Sequence, residues 1–86
     1  MRLKDKVAII TGAARGIGLA AAELFVAEGA KVAVVDVDAG LARDAAAGLS
    51  PDASTAIGLA CDVTKYDQCE AAVKAVIEKW GKLDVL

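Results

Sequence analysis

Histidine is absent from the 86 residues, and the aromatic side chains are only three, Phe25, Tyr66 and Trp80. The two cysteines, Cys61 and Cys69, are too few for a disulfide scaffold. With no histidine and no Cys-x-x-Cys they also leave no ligand set of zinc-site spacing. The ten basic residues are scattered and the net charge is −2. Nucleic acids and membrane surfaces both call for a basic face, so neither is expected as a partner. No unbroken apolar run exceeds four residues, which excludes a membrane-spanning helix and a signal-peptide core from this segment. The expectation from these absences is a soluble, cytoplasmic chain without a metal.

What is present is apolar and small. Hydrophobic residues make up 57% of the chain, and alanine alone fills 20 of the 86 positions. That is too apolar for disorder and too poor in large side chains for a self-sufficient core. A chain of this size buries only about 60–65% of the surface it exposes when unfolded, so marginal stability is expected.

Two periods alternate along the chain. Val7 to Thr11 is a β-rich apolar run ended by Gly12. From Gly16 to Glu28 the residues Ile17, Ala20, Ala21, Leu24 and Ala27 recur at helical spacing, and Gly29 closes the segment. Lys31 to Asp36 is a second strand, after which Asp38 offers an N-cap to a helix with Leu41, Ala45 and Leu49 as its inner face. Ser50-Pro51-Asp52 reads as a loop and Thr55 to Cys61 as a third strand. Thr64, with Asp67 three residues on, is placed to cap a last helix. Its buried stripe would be Cys69, Ala72, Val73, Val76, Ile77 and Trp80, with Glu70, Lys74 and Glu78 on another face. Gly81 ends that helix and Leu83 to Leu86 starts a fourth strand. The order βαβαβαβ implies an α/β fold with a parallel sheet, here truncated after its fourth strand. A parallel sheet needs cover beyond that strand, so residues 1–86 are read as the N-terminal part of a single domain.

Chemistry is carried by Thr11-Gly12-Ala13-Ala14-Arg15-Gly16-Ile17-Gly18, which leaves a strand and opens a helix. In that context Gly12 allows the tight turn, Gly16 lets backbone approach a pyrophosphate, and Gly18 permits close helix–strand packing. The N–H groups and dipole of the helix start favour a phosphate. No Gly-Lys-Ser/Thr follows, so a nucleoside-triphosphate P-loop is disfavoured; glycines that only shape a tight turn are the lesser alternative, because strand, loop and helix all agree with the fingerprint.

Asp36 ends the second strand, 18 residues after Gly18. A carboxylate there accepts the ribose hydroxyls of an adenosine and repels a 2′-phosphate, favouring NAD over NADP. Arg15 pulls the other way, as a cation that could meet a 2′-phosphate or simply stay solvated. Asp62 and Val63 follow the third strand, where the ligand crevice of a parallel sheet opens. Asp62 can accept from an adenine amino group, and an Asx-turn into Thr64 explains it equally well. Cys61 and Cys69 read as small buried hydrophobes. Tyr66 is followed four residues later by Glu70 rather than lysine, so it is read as an exposed residue of a first helical turn.

Thr-Gly-x-x-x-Gly-x-Gly at 11–18, Asp36 and Asp62-Val63 together resemble the classical short-chain dehydrogenase/reductase family, over nearly the whole chain. Lys82 to Leu86 looks like that family's fourth strand. The resemblance implies a Rossmann-type fold and the cofactor-binding part of an oxidoreductase. Gly12, Arg15, Gly16, Ile17 and Gly18 would line the pyrophosphate and adenosine, Asp36 the ribose, and Asp62 and Val63 the adenine. The family's catalytic Asn, Ser, Tyr and Lys have no counterpart in these 86 residues, so no catalytic residue is assigned and the segment alone is not expected to turn over. The parent would be a homo-oligomer transferring a hydride between NAD and a small alcohol or ketone of the polyol, secondary-alcohol or 3-oxoacyl class. A non-catalytic dinucleotide-binding module or regulator is the alternative, and a nucleoside-cofactor transferase a more distant one.

Overall fold

The computed structural model describes residues 4–12, 16–50 and 54–84. The elements alternate as β1 (Val7–Thr11), α1 (Gly16–Ala27), β2 (Lys31–Asp36), α2 (Ala39–Leu49), β3 (Ala56–Ala60) and α3 (Tyr66–Trp80). The strands form one parallel sheet in the order β1-β2-β3. Thr11 stands opposite Val35, and Asp36 opposite Ala60. Pairing continues just past the ends of β3, where the Val32 N–H donates to the Thr55 carbonyl and the Cys61 N–H to that of Asp36.

The central strand is apolar without interruption because both of its faces are covered. Val32 and Val34 join Ala22 of α1 and Ala42 and Ala46 of α2 on one side. Ala33 and Val35 join Val7, Ile9, Cys61 and the α3 residues Ala72 and Val76 on the other. Val32, Val34, Val35 and Val76 are the largest fully buried side chains, each stabilising by about 1.5–2 kcal/mol on burial.

Helix α1 buries a different face from the one its spacing suggests, whereas in α2 the expected Ala45 and Leu49 do pack on the core and only Leu41 does not. In α1, Ile17 is 90% and Leu24 66% exposed. Ala22 is buried instead, flanked by the half-buried Phe25 and Val26. The helix GIGLAAAELFVA carries one charged residue in twelve, so two stripes are equally apolar and packing on β1 and β2 decides between them. In α2, Ala42 and Ala46 face the sheet while Leu41 sits at the rim; small residues lie inside because the helix approaches its neighbour strand closely. In α3 the expected stripe holds, except that Ile77 is 44% exposed.

The caps divide in the same way. Asp38 caps α2, its Oδ1 accepting from the Leu41 N–H at 3.1 Å. Thr64 does not cap α3: Lys65 occupies that position without a side-chain bond, because the Thr64 hydroxyl donates to Asp62 at 2.6 Å. Gly81 ends α3 in the left-handed conformation at φ +82°, its N–H bonded to the Ile77 carbonyl.

Three strands, not four, are formed among the described residues. The expected fourth is only begun. The Asp84 N–H donates to the Val7 carbonyl at 2.9 Å, and the Asp84 carboxylate accepts the Val7 N–H at 2.9 Å and Lys82 at 3.1 Å. Those bonds hold the Asp84 carboxyl below its ordinary value and dock the segment against β1. Val85 and Leu86, and the loop at Pro51 and Asp52, lie outside the described residues.

Candidate functional site

Parallel strands end on one edge of their sheet, so Thr11, Asp36 and Cys61 come side by side. A cavity of about 370 Å³ opens there. Its walls are Thr11 and Gly12 at the end of β1, Val35, Asp36 and Val37 at the end of β2, and Cys61 and Val63 after β3. A second cavity of about 300 Å³ shares Thr11, Val35, Cys61 and Val63 and runs under α3 to Cys69, Ala72 and Val73. A broader hollow of about 560 Å³ follows the outer face of α3 from Tyr66 to Ile77, away from the strand ends.

Gly12 and Gly16 adopt φ of +63° and +62°. An L side chain at either would cost roughly 1–2 kcal/mol. Among the described residues other than the chain neighbours, no atom lies within 4 Å of where a Cβ would stand on either glycine. Gly58 is the opposite case: a Cβ there would meet the Ala42 carbonyl oxygen at 2.4 Å. Glycine at 58 serves packing; glycines 12 and 16 serve a backbone conformation of positive φ. Between them Arg15 lies outside the described residues. Gly16 opens α1, whose first N–H groups have no partner within the helix. Ile17 is fully outside the core, and Gly18 is half-buried in the same turn.

Asp36 is only 8% exposed. Its Oδ1 accepts from the Asp38 N–H at 3.1 Å, fixing the carboxylate at the cavity wall. Capping of α2 falls to Asp38, which separates the two aspartates by role. Asp62 forms an Asx-turn: its Oδ1 takes the Thr64 N–H at 2.9 Å and the Thr64 hydroxyl. Those bonds, the hydroxyl first, hold its carboxyl below the usual 3.8. The Asp62 N–H is held by Gln68 Oε1 at 2.8 Å. Val63, rather than Asp62, borders the cavity.

The structure therefore brings together Gly12, Asp36 and Val63 at one cavity and sets Gly16 at the helix start beside it. Val35, Val37 and Cys61 line the same space without having been read as site residues, and Thr11, which opens the glycine motif, joins them. Each stands within two residues of a motif position, so adjacency to the strand ends was the available signal. Cys61 is buried as expected, and burial, then the neighbouring Cys69, pushes its thiol up. Tyr66 opens α3 81% exposed. No described helix is long and apolar enough to cross a membrane.

A family model described as short chain dehydrogenase matches residues 6–86. Galactitol 2-dehydrogenase of Agrobacterium fabrum is 54% identical over 86 residues, which cover 100% of this chain and 32% of that protein. Sorbitol dehydrogenase of Cereibacter sphaeroides is 44% identical over the same length, again 32% of the relative. The crystal structure of 3-ketoacyl-(acyl-carrier-protein) reductase from Brucella melitensis complexed with NADH matches with a TM-score of 0.89 and 42% identity, covering 96% of this chain and 33% of that one. The chain thus spans about a third of the length of the relatives it matches.

Proposed function

The chain belongs to the short-chain dehydrogenase family, and from that membership we propose that it is the N-terminal, NAD-binding part of a longer oxidoreductase. The observation that carries this reading is the pair of positive-φ glycines, 12 at the end of β1 and 16 at the start of α1, together with a carboxylate, Asp36, buried at the end of the next strand. With no Cβ on Gly12 or Gly16 a pyrophosphate can approach their backbone, and the start of α1 offers it unpaired N–H groups. Arg15, Ile17 and Gly18 complete that loop.

Asp36 accepts the adenosine ribose hydroxyls. A 2′-phosphate would have to stand against the same fixed carboxylate, so NAD is preferred to NADP. Val63 forms the adenine wall. Asp62 shapes the turn that presents Val63, and an adenine amino group would reach its Oδ2, since Thr64 holds Oδ1.

When bound, the nicotinamide supplies the hydride acceptor or donor. The residues of this chain bind and orient. None of those described stands as an acid/base for a substrate hydroxyl, Tyr66 being exposed with Glu70 one turn on. The proton-transfer groups accordingly belong to the rest of the parent, as does any homo-oligomer interface.

The relatives that act on galactitol and sorbitol support a polyol or secondary alcohol and its ketone as the substrate pair, with a 3-oxoacyl thioester as the competing class. The test is turnover by the full natural chain. Given NAD and a polyol series, it is expected to form the reduced nicotinamide, while residues 1–86 alone form none. Reduction of 3-oxoacyl thioesters with no polyol oxidation would transfer the assignment to that class. Cofactor binding without turnover on either would make the protein a binding module instead.

A further inference from the structure

Cys61 and Cys69 come from different elements, the end of β3 and the first turns of α3, yet their sulfurs stand 3.9 Å apart. Both are free thiols. Both face the cavity of about 300 Å³ that they share with Thr11, Val35 and Val63. Cys69 is the more exposed of the two and its thiol also reaches the Val63 carbonyl at 3.5 Å, whereas Cys61 is 4% exposed. Nothing in the cofactor reading uses either sulfur. A disulfide needs the sulfurs at about 2.05 Å, so closure asks for a shift of under 2 Å shared between a strand end and a helix turn. The chain between them closes a short loop, which makes their encounter local.

We propose that Cys61 and Cys69 are a dithiol that hydroperoxides oxidise to an intramolecular disulfide in the crevice wall, and that closing it weakens dinucleotide binding. The Cys69 sulfur, as thiolate, attacks one peroxide oxygen; the O–O bond breaks, leaving a sulfenic acid on Cys69 and releasing water or an alcohol. The Cys61 sulfur then attacks the Cys69 sulfur. The S–S bond forms, the S–O bond breaks, and the departing hydroxide leaves as water with the Cys61 proton. Two electrons pass from the two sulfurs to the peroxide. Cys69 reacts first because it is the accessible one, and burial, which pushes the Cys61 thiol up, keeps Cys61 as the resolving partner. Closure removes the Cys69 thiol from the Val63 carbonyl and pulls the β3–α3 connection inwards, moving a residue of the adenine wall. This second effect rests on the proposed NAD site; the cross-link itself does not.

The experiment treats the native full-length protein with one equivalent of hydrogen peroxide, blocks remaining thiols, then denatures and digests it. Lys65 lies between the cysteines, so trypsin separates them onto peptides 44–65 and 66–74, which only the disulfide keeps joined. The expected result is that joined pair, two hydrogens lighter than the separate peptides, and its absence in Cys69→Ala. NAD binding by the oxidised form is expected to be weaker by about fivefold or more. Over-oxidised Cys69 beside an intact Cys61 thiol, or cross-links only between molecules, would overturn the dithiol. A joined pair with unchanged NAD affinity would overturn the coupling. Failure of the reduced protein to bind NAD at all would overturn the coupling together with the cofactor reading and leave the cross-link standing.

Discussion

Val34 and Val35 are neighbours on β2, both essentially without solvent contact, yet they look into differently built halves of the molecule. Val34 faces α1 and α2, where Ala22, Ala42 and Ala46 let two helices lie close on the sheet and Gly58 gives α2 its nearest approach. Val35 faces α3 alone, and there the packing leaves cavities of about 300 and 370 Å³ running to the strand ends. Small side chains bring the helices close on the first face, and the hollow of about 290 Å³ there lies between α2 and the start of β3, away from the strands' carboxyl ends. The open face is where residues with binding chemistry, Asp36 above all, meet a void. The comparison teaches that the proposed site is the part of the core left unfilled at the carboxyl edge of the sheet, rather than an addition to its surface.

The tight face should break most severely. Gly58→Val would drive a branched side chain into the backbone of α2, and we expect a loss of about 3 kcal/mol or more, or failure to fold, read by thermal unfolding. Gly16→Val acts at the edge instead. At φ +62° the side chain is strained and stands where the pyrophosphate would approach, so NAD binding measured by calorimetry should fall by about a hundredfold or more, a loss near 3 kcal/mol.

Paired truncations sharpen the contrast between the faces. Val34→Ala should cost about 2 kcal/mol and Val35→Ala about 1, because the wall of an existing void relaxes more easily than a filled layer. Equal costs in denaturant titrations would mean the faces are packed alike. The smallest effect concerns the Asx-turn. Thr64→Val removes the hydroxyl that holds Asp62 below its ordinary 3.8, so its carboxyl should titrate closer to that value in a carbon-13 experiment. A lowered folded-state value stabilises above the unfolded value and is lost as pH falls through the folded one. The turn's contribution should therefore start to fade as pH falls through about 3.8, be gone only below the lowered folded value, and be smaller throughout in the variant.

The strands were legible because a sheet covered on both sides writes itself as unbroken apolar runs, as in Val7–Thr11 and Lys31–Asp36. The glycine turn was legible because a loop between strand and helix with positive φ leaves few residue choices. Helix faces were harder to read. In α1 nearly every residue is apolar, so periodicity cannot choose Ala22 over Ile17. In α2 Ala42 and Ala46 face inwards with the expected Ala45 and Leu49 packed beside them, and only Leu41 stays at the rim. Thr64 was misread as a cap since a hydroxyl that can bond the following helix can equally bond Asp62 behind it. Gly58 carried no local sign, because its need comes wholly from α2, 16 residues earlier at Ala42. Of the proposed site, the motif residues and those with special backbone or charge were visible, while Val35, Val37 and Cys61 were not, being ordinary residues made part of a wall by the register of the strands.

The central claim is that the buried Asp36 carboxylate reads the ribose of a dinucleotide held at the open edge. It is tested most directly by titrating the full natural chain with NAD and with NADP, alongside Asp36→Ala combined with Val37→Arg. NAD should bind the wild type more tightly by about tenfold or more, and the double variant should reverse the preference as repulsion is replaced by a cation. An NAD/NADP ratio that is the same in both proteins would contradict the account.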